Sequence, residues 1–312
     1  MSSYRIVFMG TPDFAVPALT ALHESRQDVL AVVTQPDRPK GRGRRMVAPA
    51  VKEVASTMGY PVLQPSKVKE PWFLERIIAM DPELFVVVAY GRLLPASFLS
   101  IPRIGAINIH ASVLPKYRGP APIQWAIING EDETGVTTIW MDEGLDTGDI
   151  LLSTSVPIGP EDTTGSLSRR LAEAGGQLLI ETLSKLKADQ LGGTAQDKSL
   201  ATYAPLLKKE DGRIDWSKNA MALDAFVRGM NPWPGAFTFL SGKRLKVLKA
   251  KGAQKPVAEE PGTVIEGFPG DLRVATGRGS LGLLEVQLES AKRLPIRDFL
   301  RGFPVSPGTH LG

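Results

Sequence analysis

Three histidines and no cysteine occur in the 312 residues. Proton transfer near neutral pH therefore has few candidate carriers. Disulfides, thiolate metal sites and cysteine nucleophiles have none. His23 falls late in a helical segment and is expected at the surface. His310 lies two residues from the end and is expected in a mobile tail. His110 differs, because it follows the run Gly105-Ala106-Ile107-Asn108-Ile109. Under the two-residue alternation of a strand, Asn108 and His110 point to the same side. Both fall at the C-terminal end of that strand, where open α/β sheets place their ligands. A lone histidine more often serves structure, but the pairing with Asn108 at that place marks a candidate site. Asp142, Glu143, Asp146 and Asp149 crowd a nearby stretch, yet no histidine or cysteine is spaced with them, so no metal is expected.

The elements that must carry these residues are legible. Ile6–Met9, Val29–Thr34, Leu84–Ala89, Ile104–Ile109, Val136–Met141 and Ile150–Val156 read as strands, with Pro61–Leu63 extended. Phe14–Leu22, with Asp13 as a candidate N-cap, Pro49–Met58, Pro71–Met80 and Thr164–Leu186 read as helices. Strands alternating with helices imply an α/β domain, a mostly parallel sheet covered on both faces. After about residue 188 the texture changes. Residues 189–211 are polar with little periodicity and read as a linker. A short helix over Ala220–Arg228 follows. Short strands then come at 236–240, 245–250, 262–265, 272–275 and 283–288, a spacing that suggests a small β-barrel. The expected domains are 1–188 and 212–312, joined by 189–211. Gly277-Arg278-Gly279-Ser280-Leu281-Gly282 fits a dinucleotide fingerprint, but another strand follows it where a helix is required. We expect a hairpin turn there and no nicotinamide nucleotide.

Composition excludes whole classes. Hydrophobic residues at 43% and charged residues at 22% belong to a folded chain, not a disordered one. No apolar run reaches the ~18 residues of a membrane helix. The start, MSSYRIVFMG, lacks the pattern of a signal peptide, so the cytoplasm is the expected compartment. A monomer is the expected assembly. Residues 1–207 carry a net −2 and residues 208–312 a net +6. Such asymmetry fits a polyanionic partner or a solvated face.

Five segments carry a resemblance: HASVLPKYRGPAP at 110–122, DEGLDTGDI at 142–150, FMGTPDFAVPAL at 8–19, QPDRPKGRGRR at 35–45 and NPWPGAF at 231–237. Together they resemble the 10-formyltetrahydrofolate-dependent formyltransferases, in the branch that formylates initiator methionyl-tRNA. The resemblance spans essentially the whole chain. One departure is Val113, where the family usually has leucine. The resemblance implies a Rossmann-like domain joined to an OB-like barrel. It also implies a catalytic trio of Asn108, His110 and Asp146. Asn108 and a protonated His110 would donate hydrogen bonds to the oxyanion formed when an amine attacks a formyl carbon. Asp146 would favour the imidazolium, hold its orientation and help take the amine's proton. The donor, 10-formyltetrahydrofolate, would contact Tyr90, Gly91, Arg92 and Leu93, chiefly through backbone groups. Ser112, Val113, Leu114, Pro115 and Asp142 complete the implied folate site.

Residues 37–45 hold five basic side chains in nine positions, with Gly41 and Gly43 among them. Alone, such a run reads most simply as a solvated, mobile face. The resemblance implies that Lys40, Arg42, Arg44 and Arg45 contact the tRNA acceptor stem. Two alternatives remain: formyl transfer to a small amine, such as a phosphoribosyl amine or an amino sugar, and a nucleic-acid-binding protein built on a degenerate enzyme. The basic barrel and arginine loop weigh against the first, and the intact trio against the second.

Overall fold

The computed structural model describes residues 3–40, 45–267 and 270–312, without the side chains of Lys40 and Arg45. In chain order the elements begin β1 (Arg5–Gly10), α1 (Val16–Glu24), β2 (Asp28–Val33), β3 (Arg38–Lys40), β4 (Arg45–Val47), α2 (Ala50–Thr57) and β5 (Val62–Leu63). They continue α3 (Pro71–Ala79), β6 (Leu84–Val88), α4 (Ala96–Leu99), β7 (Gly105–His110), α5 (Pro122–Ile128), β8 (Glu133–Trp140), β9 (Ile150–Pro157) and α6 (Thr164–Lys187). The remainder is α7 (Ala220–Gly229), β10 (Phe237–Leu240), β11 (Lys243–Ala253), β12 (Val264–Ile265), β13 (Leu272–Ala275), β14 (Ser280–Leu288), β15 (Arg293–Pro295) and α8 (Ile296–Gly302).

The chain divides into two units. The first comprises residues 1–119, 134–157 and 168–204, and the second 120–133, 158–167 and 205–312. Segments 120–133 and 158–167, which the sequence placed with the first domain, thus group with the second.

Among the described residues of the first unit, seven strands form one sheet in the order β5-β2-β1-β6-β7-β8-β9. β5, β2, β1, β6 and β7 run parallel, and β8 is antiparallel to β7. The central strand β6, LFVVV, is buried throughout, as a strand covered on both faces must be. One face packs Phe73 and Ile77 of α3 and Phe98 of α4 against Phe85, Val87 and Met9. The ring of Phe98 stacks on Phe85 and Phe73, with centroids 5.0 and 5.6 Å apart. On α6, Gly175 and Gly176 permit close approach: a Cβ on Gly175 would lie 3.0 Å from Ile109, and one on Gly176 3.0 Å from the Pro17 carbonyl of α1. That seats α6 on the side of β7 that Ile109 occupies, leaving Asn108 and His110 to the other side. Asp13 does not cap α1. It opens a 3-10 turn over Asp13–Ala15, and the helix begins after Ala15 with Pro17 in its first turn.

Residues 189–204 are not a free tether. Thr194 pairs with Ile150, and Tyr203 with Arg118. Short sequence-distant pairings leave no periodicity to read.

In the second unit, β10-β11-β14-β13-β12 form an antiparallel curled sheet, with β15 added to β14. This is the expected OB-like half-barrel. Its core gathers Leu245, Val247, Leu272, Val274, Leu281 and Leu283, closed by Leu223 and Val227 of α7 and Phe299 of α8. The sequence reading left α5 and α8 unassigned. Each is only seven residues long, and Ala121 and Pro295 stand where a polar cap would announce a start. Gly277 and Gly279 form the β13–β14 turn, as expected, while Gly282 lies within β14 opposite Arg273. His310 is not in a loose tail: it pairs with Thr263, and its neighbour Leu311 is fully buried.

Candidate active site

β7 ends at the C-terminal edge of the parallel strands and delivers Asn108 and His110 side by side. The loop between β8 and β9 brings Asp146 to them. The Asp146 Oδ2 lies 3.6 Å from His110 Nδ1, and the Asn108 amide donates to Asp146 Oδ1 at 3.4 Å. The three residues singled out from the sequence thus converge at one point. His110 is 6% exposed. Its Nε2 lies 2.9 Å from the Tyr117 carbonyl, which can only accept, so this nitrogen carries a hydrogen. Nδ1 is therefore the nitrogen turned toward Asp146.

Asp146 is held from several sides. It takes a left-handed conformation, φ +53°, which a non-glycine residue keeps only when its surroundings over-determine it. The Gly119 N–H donates to Asp146 Oδ2 at 2.8 Å. Gly119 itself has φ +117°, and a Cβ there would lie 2.8 Å from the Ala204 carbonyl, so only glycine serves. Gln196 donates its amide to the carbonyls of Asp146 and Gly148, at 2.9 and 2.7 Å. The buried Arg118 grips the same Gln196 from behind, with Nε and Nη2 at 3.1 and 2.7 Å from Oε1. Neither Arg118 nor Gln196 was singled out from the sequence. Gln196 lay in the apparent linker, where nothing local marks it.

The implied folate segments border this trio. Asp142 accepts the Gly144 N–H at 3.0 Å and the Thr147 hydroxyl at 2.8 Å, closing the loop that carries Asp146. These bonds shape that loop. The Tyr90 carbonyl accepts from Thr11 Oγ1 at 3.0 Å and from Gln35 Nε2 at 2.8 Å. Gly91, at φ +77°, gives its carbonyl to the same Gln35 amide at 3.2 Å. The Tyr90 side chain is core, with its hydroxyl buried and unpartnered among the described residues. Burial pushes its ionisation above the usual phenol range; Arg92 counters and Glu70 adds to this. What this loop presents outward is Leu93, 84% exposed, and the partly exposed Arg92. Ser112 and Leu114 point inward. The Ser112 hydroxyl donates to the Lys116 carbonyl at 2.6 Å, and the Leu114 N–H to Thr137 Oγ1 at 3.1 Å. Val113 and Pro115 are partly exposed. Residues 90–93 follow β6, the strand that pairs with β7, and residues 112–115 follow His110, so both segments start at the sheet edge that carries Asn108 and His110.

Of the basic run 37–45, Arg38 and Lys40 lie on β3 and Arg45 on β4, and Lys40 pairs with Arg45. Arg42 and Arg44 lie outside the described residues, as do the side chains of Lys40 and Arg45.

Two family models match. One described as formyl transferase covers residues 4–183, and the formyl transferase C-terminal domain covers 206–304. Curated relatives include a methionyl-tRNA formyltransferase from Citrifermentans bemidjiense, 53% identical over all of this chain and 98% of its own length. One of the same name from Geobacter sulfurreducens is 51% identical over all of this chain and 98% of its own. Among solved structures, an N-formyltransferase from Helicobacter canadensis aligns with TM-score 0.68 at 18% identity, over 93% of this chain and all of that one. HypX from Aquifex aeolicus with tetrahydrofolic acid aligns at 0.64 and 19%, over 96% of this chain and 47% of that one. These two bear on the fold. With both models matched and half the residues shared along its whole length, the chain belongs to the formyl transferase family.

Proposed function

We propose that this chain transfers the formyl group of 10-formyltetrahydrofolate to the α-amino group of initiator methionyl-tRNA, in the cytoplasm, for translation initiation. The observation that carries the reading is the convergence of Asn108, His110 and Asp146 at the sheet edge, with Asp146 within 3.6 Å of both partners. The name shared by the full-length relatives supports the acceptor.

The bound folate supplies the formyl carbon and the nitrogen that leaves. The chain's residues supply the rest. The Asn108 amide has two hydrogens; one reaches Asp146, and the other is the donor for the oxygen that gains charge as the amine attacks. The His110 ring already donates through Nε2 to Tyr117, so Nδ1 is the atom that donates to the same oxygen once protonated. Asp146 stabilises that imidazolium, accepts a proton from the attacking amine and returns it to the folate nitrogen as the bond from that nitrogen to the formyl carbon breaks, while Gly119 keeps its carboxylate aimed. Arg92 and Leu93 on one loop, and the loop closed by Asp142 on the other, border the folate. Val113 and Pro115 line the side nearest His110. Lys40, Arg42, Arg44 and Arg45 meet the acceptor stem, and the basic barrel meets phosphates.

Transfer of labelled formyl onto charged tRNA, compared with small amines and amino sugars, tests this. Formylation of methionyl-tRNA alone is expected. Preference for a free amine would replace the acceptor, and no transfer at all would remove the reaction.

A further inference from the structure

The carbonyl that fixes the His110 ring belongs to Tyr117, which takes a left-handed conformation, φ +61°. A non-glycine residue keeps that conformation only when its surroundings hold it. Much of the hold comes from Thr202, eighty-five positions further along the chain. The Tyr117 N–H donates to Thr202 Oγ1 at 2.9 Å, and the Arg118 N–H donates to the Thr202 carbonyl at 2.9 Å. The Thr202 N–H in turn donates to the Pro115 carbonyl at 3.3 Å. Both peptide planes that meet at the Tyr117 Cα are therefore bonded to Thr202. The second plane matters most. In a trans peptide the N–H and the C=O point in opposite directions. With the Arg118 N–H turned to Thr202, the Tyr117 carbonyl is turned to His110 Nε2, 2.9 Å away. Hydrogen bonds in such a row also polarise one another, which makes that carbonyl the better acceptor.

Asp146 pulls the other way. Its Oδ2 lies 3.6 Å from Nδ1, and a neutral imidazole has one hydrogen for the two acceptors. We propose that Thr202 is a positioning residue of formyl transfer: it aims the Tyr117 carbonyl and so decides which nitrogen of His110 carries that hydrogen. With the carbonyl held, the hydrogen stays on Nε2 and Nδ1 is left to gain one. With the carbonyl released, the carboxylate draws the hydrogen to Nδ1 and the ring loses its fixed partner. Gln196 and Thr202 thus hold the two halves of the His110–Asp146 pair from one short stretch of chain. The effect on rate rests on the formyl-transfer reading above; the effect on the ring does not.

Histidine isotopically labelled at both ring nitrogens reports the tautomer by NMR of the full chain. The chain has only three histidines, and His110→Asn identifies the signal. At alkaline pH, where imidazole is neutral, the unmodified chain should carry the hydrogen on Nε2. Thr202 is exposed, so its variants should fold. Thr202→Val removes the hydroxyl at nearly constant shape and should give a mixture with the hydrogen on Nδ1. Its kcat with 10-formyltetrahydrofolate and methionyl-tRNA should fall by about tenfold, the worth of one net hydrogen bond, while both KM values hold. Thr202→Ser, which keeps the hydroxyl, should restore ring signal and rate. Thr202→Ala should repeat the loss with a smaller side chain, should valine disturb the fold. An unchanged ring signal in the folded valine or alanine variant overturns the proposal. So does a raised KM for tRNA with kcat and ring signal kept, which would place Thr202 against the substrate. A chain that transfers no formyl would remove the reaction and the effect on rate, while the ring signal would still decide whether Thr202 governs His110.

Discussion

The side-chain amide of Gln196 holds the main chain of Asp146 at 2.9 Å, from a stretch fifty residues further along the chain. The same side chain occupies the buried Arg118. Gln196 therefore links a residue that must be neutralised or bonded to one that must be aimed. Gln196→Ala should lower kcat by about 10²-fold, the scale of an ångström's misplacement at a reacting group. It should also destabilise the fold, because Arg118 loses its acceptor; such losses run to about 1–3 kcal/mol. Gln196→Glu separates the two effects. It keeps an acceptor for Arg118 but removes the hydrogens given to Asp146 and Gly148. Stability by urea unfolding should be kept while kcat falls. A fully active Gln196→Glu enzyme would show that the clamp does not position Asp146.

His110 and Asp146 should behave as one unit. His110→Ala should cut kcat by about 10²–10⁴, the usual scale for one acid–base or oxyanion group. Asp146→Asn should be nearly as damaging, because the amide neither stabilises an imidazolium nor takes a proton. The double variant should lose much less than the product of the single losses. Single-turnover rates with the three proteins decide it; multiplicative losses would mean that the two act separately.

Much of this was readable from the chain, for identifiable reasons. The strands β1, β6 and β7 are short apolar runs whose burial follows from composition, and Asn108 and His110 follow from the alternation along β7. Asp146 was placed only by likeness, since an aspartate in a Gly-rich loop is ordinarily a turn former. The clamp was invisible. Arg118 and Gln196 are 78 positions apart, and a side chain bonded to distant main chain leaves no local pattern. The segments 120–133 and 158–167 also escaped, because membership in a unit depends on long-range packing. Tyr90 is expected to meet the folate through its backbone, and its side chain completes the core with Phe73 and Phe98.

That phenol gives a pH dependence. Its ionisation is pushed up in the folded chain, so the folded state favours the protonated form. The resulting stability is fully present below the unfolded value of about 10 and is lost as pH rises through the folded one. Tyr90→Phe removes a buried hydroxyl that has no partner among the described residues, and so should leave stability at neutral pH unchanged or slightly raised. It should also flatten the decline above about pH 10. Urea midpoints at neutral and alkaline pH would show this; a strongly destabilised phenylalanine variant would mean that the hydroxyl is bonded after all.

In the second unit the vulnerable group is Asp224 of α7. It is 3% exposed, accepts from Arg228 at 2.9 Å and from the Gly252 N–H at 3.0 Å, and ties α7 to β11. Removing one partner of a buried pair is costly, so Asp224→Ala should destabilise by about 3–5 kcal/mol. Asp224→Asn should cost less, since it can still accept from Gly252. Chemical unfolding of the full chain measures both. Equal, small effects would show that the barrel's packing alone holds α7.

The basic run 37–45 separates the tRNA acceptor from a small amine. Arg42 is flanked in sequence by two glycines, which add no side-chain bulk on either side of it. A planar guanidinium grips a phosphate or base edge with two parallel hydrogen bonds, which an ammonium cannot do. Arg42→Lys should therefore be clearly impaired although the charge is kept, and Arg42→Ala more so. A specific contact of this kind is worth about 1–3 kcal/mol in kcat/KM for tRNA. The KM for folate should not move, because the loops that border the folate lie elsewhere in the sequence. The salt dependence of tRNA affinity should also weaken as the arginines are removed, since each phosphate contact releases counterions. If every basic residue of the run could be neutralised without loss of activity on charged tRNA, the run would be only a solvated face. Recognition of the acceptor would then fall to the net +6 of residues 208–312.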